Sequence, residues 1–180
     1  MSDTADHLTS TPWSYPGAAI TRSTLLLPDC DHDIDPVHGR RLGAARTSRC
    51  DQCREGKRTR SVPLGHELRR WNSMILDSRT PVVSIGSNSS AAVLRRKMNN
   101  AGLSIVLPCL TGTLGNIAVG HSAHASKGGY IPAAPYLRPG TVTPVVVAFL
   151  DERQLDALDR TEPNYSRVTL RAPAHALTLA

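Results

Sequence analysis

PVVSIGSNSSAAVLRRKMNN, residues 81–100, is the stretch on which the reading of this chain turns. Val82–Ile85 is a short apolar run and reads as a buried strand. It stops at Gly86-Ser87-Asn88. A helical pattern follows at once through Ala91, Val93, Leu94 and Met98, with Gly102 as the stop. A strand, a glycine turn and a helix N-terminus together present backbone N–H groups to an anion. Gly86 permits a positive φ and close approach of a ligand. Ser87, Asn88, Ser89 and Ser90 are all suited to capping the helix. Any capped strand-to-helix connection looks much the same, so the weight of this turn depends on the rest of the chain.

Downstream, Leu103–Leu110 (LSIVLPCL) predicts a strand with Pro108 at its end or at an edge, and Cys109 as a buried structural thiol. Thr111–Gly120 is turn-rich, with a short strand at Ile117–Val119. His121–Tyr136 reads as a shaped loop over a pocket. Its two histidines, His121 and His124, lack a third ligand nearby and read as polar residues, while Tyr130 and Tyr136 are placed to line a cleft. Thr143–Leu150 (TPVVVAFL) predicts a central strand. Asp151 then caps a helix, Gln154 completes a capping box, and Leu155 and Leu158 form the buried side before an end near Arg160. A further strand is expected at Ser166–Leu170.

Upstream, Leu64, Leu68, Trp71 and Ile75 fall on one helical stripe, which makes Trp71 core, and His66 lies off it. Before that helix lies a polar, Arg-rich segment with two ligand pairs, Cys30-x-His32 and Cys50-x-x-Cys53. Three thiolates and one imidazole make a tetrahedral set suited to a structural zinc. So little apolar material separates the pairs that an ion would be needed to hold the segment. Free cysteines, a redox pair, and His38 or Asp31 in place of His32 are the competing readings.

The formal charge is +6, and much of the excess lies in Arg40, Arg41, Arg46, Arg49, Arg54, Lys57, Arg58 and Arg60. Such a cluster can meet phosphates or a protein, although no aromatic residues are interleaved for base stacking. Aromatics make up only 4% of the chain, with 13 Gly and 13 Pro, so a core of Val, Leu, Ile and Ala with many turns is expected. The first residues are polar and acidic, with no apolar run of membrane or signal-peptide length. A cytoplasmic protein with no membrane contact is the expectation.

Two separated runs resemble one family. VVSIGSN (residues 82–88) resembles the glycine-serine-asparagine substrate loop of the γ-glutamylcyclotransferases. VVVAFLDERQLDALDRTEPNYSRV (145–168) resembles that family's strand, short helix, Leu-Asp-x-x-Glu and Tyr segment, in the right order and from about residue 81 onward. The resemblance implies that Glu162 is the catalytic general acid/base. It implies a substrate pocket around Ile85, Gly86, Ser87, Asn88, Tyr130 and Tyr165, with no cofactor needed for catalysis. In the reaction an α-amine attacks its own γ-carbonyl, giving 5-oxoproline and a free amine. Here Ile85 stands where the family usually has Tyr. The chain also ends soon after Glu162, where the family continues into further strands.

The expected fold is therefore α+β, with a mixed, partly closed, barrel-like sheet and short helices. The expected divisions are a disordered leader (1–24) with Trp13 and Tyr15 docking, a zinc module (25–60), a linker and helix (61–80) and a cyclotransferase-like domain (81–180). A pocket-bearing binding protein without turnover is one alternative to the enzyme. A zinc-stabilised basic adaptor for nucleic acid or protein is the other.

Overall fold

The computed structural model describes residues 11–35, 42–53 and 61–180. Among them are eight strands and three α-helices. The strands are β1 (Thr24–Leu26), β2 (Asp31–Ile34), β3 (Arg46–Ser48), β4 (Ser61–Pro63), β5 (Thr80–Ser84), β6 (Leu107–His121), β7 (Ala133–Leu150) and β8 (Leu177–Leu179). The helices are α1 (Leu64–Arg70), α2 (Ala91–Asn100) and α3 (Glu152–Arg160). The protein is α+β, as the sequence implied. The sheet, however, is open, in the order β4-β3-β2-β1-β6-β7-β5 with β8 beside β6. Every pairing in it is antiparallel, which corrects the expected mixed sheet.

The apolar end of β7, Val145–Leu150, is buried on both faces, whereas Val82, Val83 and Ile85, read as a buried strand, are half-buried at the β5 edge of the sheet. Val145, Val147 and Phe149 join Leu25, Leu27, Leu64 and Leu68 in one cluster, under α1. Val146, Ala148 and Leu150 join Leu26, Leu94, Met98 and Leu158 in the other, under α2 and α3. Period-two alternation puts neighbours on opposite faces, so a strand covered on both sides must be apolar throughout.

Where the expected elements differ, the reason is local. Thr111–Gly120 is not a set of turns: β6 runs through it to His121 and pairs with β7 along most of its length. The register breaks between Gly115 and Ile117. There Asn116 adopts φ +62°, accepts from the Gly140 N–H at 2.7 Å and donates to the Ala174 carbonyl at 2.7 Å. Pro108 lies one residue before the β6–β7 ladder begins at Cys109, where its missing N–H is tolerated. No strand forms at Ser166–Leu170; the last strand is β8, and Gly112 lets it approach, since a Cβ there would meet the Thr178 carbonyl. Helix α1 ends at Arg70, so Ile75 is exposed and the following residue, Leu76, enters the core instead. Trp71 is half-buried against that core, and His66 is exposed.

Two segments read as standing apart are joined to the sheet. β1 pairs with β6, so the Cys/His segment extends the same sheet. Residues 11–22 pack on the 86–90 turn: Ala19 bridges Ser90, and the Ile20 N–H donates to the Ser89 carbonyl at 2.9 Å. Trp13 is 82% exposed and does not dock, whereas Tyr15 does. Among the described residues no helix is long and apolar enough to cross a membrane.

Candidate functional site

Two constellations stand out. The first is built where β5 ends. Gly86 takes φ +61°, which its lack of a side chain permits, and a 3-10 turn over Gly86–Ser89 leads into α2 with Ser90 as its N-cap. Over the same core cluster as α2, α3 starts with the expected capping box. The Gln154 N–H donates to Asp151 Oδ1 at 2.9 Å, and the Asp151 N–H to Gln154 Oε1 at 3.2 Å. That helix delivers Glu162 two residues past its end. Asn88 Nδ2 donates to Glu162 Oε1 at 2.9 Å. Lys97, on α2 nine residues beyond Asn88, reaches the same oxygen at 2.6 Å and Asn88 Oδ1 at 2.7 Å. The two separated runs of sequence thus meet side chain to side chain, and the lysine is only 13% exposed.

Around this triad the predicted pocket residues divide. Tyr130 stacks on Tyr15, with centroids 4.3 Å apart and planes 13° apart. Tyr15 Oη accepts from the Ala133 N–H at 2.6 Å and leaves no room for a Cβ on Gly86. Burial raises the Tyr15 hydroxyl above its usual pKa, against the smaller lowering effect of the Ala133 bond. Tyr165 is 40% exposed, and its ring lies 6.4 Å from that of His124. Ser87 stays in the turn, where its carbonyl accepts from Ser90. Ile85 and Gly86 line a cavity of about 400 Å³ walled by Ile20, Val119 and Val146, into whose lining Ser84 brings a buried hydroxyl without a partner. Glu162 does not line that cavity. Tyr136 is exposed on β7.

The second constellation is Cys30, His32, Cys50 and Cys53, whose ligand atoms all lie within 4.8 Å of one another. Strand β2 carries His32 inward, fully buried, with Nε2 at 3.6 Å from Cys30 Sγ. The Asp51–Cys53 turn folds the knuckle so that Cys53 Sγ sits 3.3 Å from Cys30 Sγ. The four residues lie close enough to hold a metal. Their donor set, three sulfurs and one nitrogen without an open carboxylate, is that of a closed tetrahedral site. Asp31 is not available as a substitute ligand, because its carboxylate points outward to Arg95. His38 lies outside the described residues. Burial opposes ionisation of Cys50, but hydrogen bonds from Cys53, Cys30 and Gln52 outweigh it and set its thiol below the usual value. Cys109 is elsewhere, fully buried in the sheet, and burial pushes its thiol up.

Of the basic cluster, Arg46 and Arg49 are described, and both are tied down internally. Arg46 bonds to Ser61, and Arg49 to the buried Glu67 at 2.7 Å. Arg40, Arg41, Arg54, Lys57, Arg58 and Arg60 lie outside the described residues.

Two site residues were not read from sequence. Lys97 looked like one more polar position on α2; its signal is that only Lys57, Lys97 and Lys127 are lysines in a chain otherwise using Arg. Glu67 carried a clearer signal, since it falls three residues after Leu64, on the same apolar stripe. Comparison of the chain with protein-family models, with curated proteins and with solved structures returns no match.

Proposed function

We propose that the chain catalyses an intramolecular aminoacyl transfer on a γ-glutamyl amine or peptide, releasing 5-oxoproline. The observation that carries this reading is the Asn88–Glu162 contact at 2.9 Å, which joins the GSN turn to the carboxylate after α3. The substrate head has one ammonium and one carboxylate. The Lys97–Glu162 pair offers the complementary charges, so the α-carboxylate meets Lys97 and the α-ammonium meets Glu162. Glu162 takes a proton from the ammonium. The freed amine attacks the γ-carbonyl carbon, the bond to the leaving nitrogen breaks, and Glu162 returns the proton to that nitrogen. The reaction needs no oxidant, metal or organic cofactor.

The test is release of 5-oxoproline from a panel of γ-glutamyl amines and dipeptides by wild type and Glu162→Gln. Loss of a positioned acid/base costs about 10²–10⁴-fold in rate. Full activity in Glu162→Gln would sink the proposal. Tight binding of 5-oxoproline without turnover by the wild type would instead favour a binding protein.

A second reading concerns the Cys/His cluster and is compatible with the first. Cys30, His32, Cys50 and Cys53 hold a structural zinc, favoured by the convergence of four donors from two segments around a buried imidazole. Zinc content of the purified full chain, and its loss in Cys50→Ser, test it directly.

A further inference from the structure

We propose that Glu67 is the positioning residue of the metal centre: its carboxylate holds the His32 ring by Nδ1 so that Nε2 faces the three thiols. The proposal rests on the zinc reading above.

His32 has two ring nitrogens in different surroundings. Nε2 looks into the thiol cluster, 3.6 Å from Cys30 Sγ. Nδ1 is buried and has no hydrogen-bond partner. The group facing it is Glu67 Oε1, at 3.9 Å, with both side chains fully buried. A neutral imidazole that ligates through Nε2 carries its proton on Nδ1, and that proton needs an acceptor. Glu67 is placed to be the acceptor. The separation is a contact and not yet a hydrogen bond.

Glu67 is otherwise hard to account for. It sits on the inward stripe of α1 with Leu64 and Leu68, where a lone carboxylate is strongly disfavoured. Arg49 compensates its charge through Nε and Nη2, both 2.7 Å from Oε2, and Arg70 approaches Oε1 at 3.4 Å. Arg49 directly precedes the ligand Cys50. One carboxylate on α1 therefore references both ligand segments, β2 through the His32 ring and the Cys50–Cys53 knuckle through Arg49. Three thiolates and a divalent ion leave a net negative charge, and Glu67 with its two arginines leaves a net positive one, so the two shells complement each other.

The experiment uses the full chain. Nitrogen-labelled wild type is loaded with an NMR-active cadmium isotope. The expected result is metal–nitrogen coupling at His32 Nε2 and a slowly exchanging proton on Nδ1. Coupling at Nδ1 would overturn the proposal, because the ring would then turn its other edge to Glu67. Zinc affinity by chelator competition is measured in parallel. Glu67→Met, and Glu67→Met with Arg49→Met to remove both buried charges, should each weaken binding about ten- to hundredfold. Glu67→Gln, which keeps an acceptor oxygen, should restore most of it. Affinity within about twofold of wild type in a folded Glu67→Met protein, or equal losses in the Gln and Met variants, would overturn it. Wild type that binds neither metal defeats the zinc reading itself, a result distinct from metal bound without help from Glu67.

Discussion

Whether α2 and the residue after α3 meet can be tested without any substrate, by replacing Lys97 with Met and Glu162 with Gln, singly and together. Their charged atoms lie 2.6 Å apart, with side chains 13% and 27% exposed. At that separation Coulomb's law gives about 1.6 kcal/mol in water and about 6 kcal/mol at an effective dielectric of about 20. Desolvation of both groups and immobilisation of the lysine stem return most of that. Exposed pairs measure about 0.2–1 kcal/mol, and removing one partner of a buried pair costs about 3–5 kcal/mol. This half-buried pair, which shares Asn88 as a common hydrogen-bond partner, should show a coupling energy of about 1–2 kcal/mol between those limits. Urea unfolding of the four proteins gives the cycle directly. The coupling should persist at high salt, because little solvent reaches the contact. Additive effects, to within about 0.3 kcal/mol, would mean that Lys97 and Glu162 do not meet and would remove the charge pair that the enzymatic reading offers to the substrate's carboxylate and ammonium.

If the Cys/His cluster holds zinc, chelation should lower the thermal midpoint, since an ion at about 1,000 times its Kd contributes about 4 kcal/mol; an unchanged midpoint after verified metal removal contradicts this. Asp151→Ala loses the cap on α3, with an expected cost of about 1 kcal/mol and a midpoint about 2–4 °C lower in calorimetry. Burial raises the Tyr15 pKa, so its docking is fully effective below the unfolded value of about 10 and is lost as pH climbs past it. Absorbance titration should accordingly show a late tyrosinate component that Tyr15→Phe abolishes. A late component absent from the wild type, or retained in Tyr15→Phe, would refute the docking.

What was legible in the sequence was whatever a local rule encodes. The Asp151–Gln154 box, the positive φ at Gly86 and the continuous burial of Val145–Leu150 each follow from a few adjacent residues. The Cys and His spacing likewise foretold which four side chains converge. What was hidden depended on pairing at a distance. Nothing local says that β6 runs straight through the glycines of 111–120, because the ladder with β7 carries it. Nothing in residues 24–26 says that they pair with 107–109 on one side as well as with 31–33 on the other. Glu162's partner in Asn88 was foreseeable only through the pairing of two runs, and Lys97 only through helix geometry once α2 was placed.

Helix α2 shows why the Cys/His segment cannot be treated as detachable. Arg95 and Lys97 are two residues apart and so point about 200° around the helix from each other. Arg95 reaches the carbonyls of Leu27 and Cys30 and the carboxylate of Asp31, at the turn that presents the first ligand pair. Lys97 reaches Asn88 and Glu162 on the opposite side. The segment's own leucines, Leu25, Leu26 and Leu27, are completely buried and supply both faces of the core. Deleting the first 60 residues would therefore remove β1, open both clusters and leave Arg95 without its acceptors. Loss of nucleic-acid or protein retention on such a deletion would report unfolding, not a lost interface. The adaptor reading is better tested by reversing the charges of Arg54, Lys57, Arg58 and Arg60, with the metal ligands and Arg49 intact. If retention survives those reversals and does not fall with salt, the basic run is no interface, and its one described buried arginine, Arg49, serves Glu67 instead.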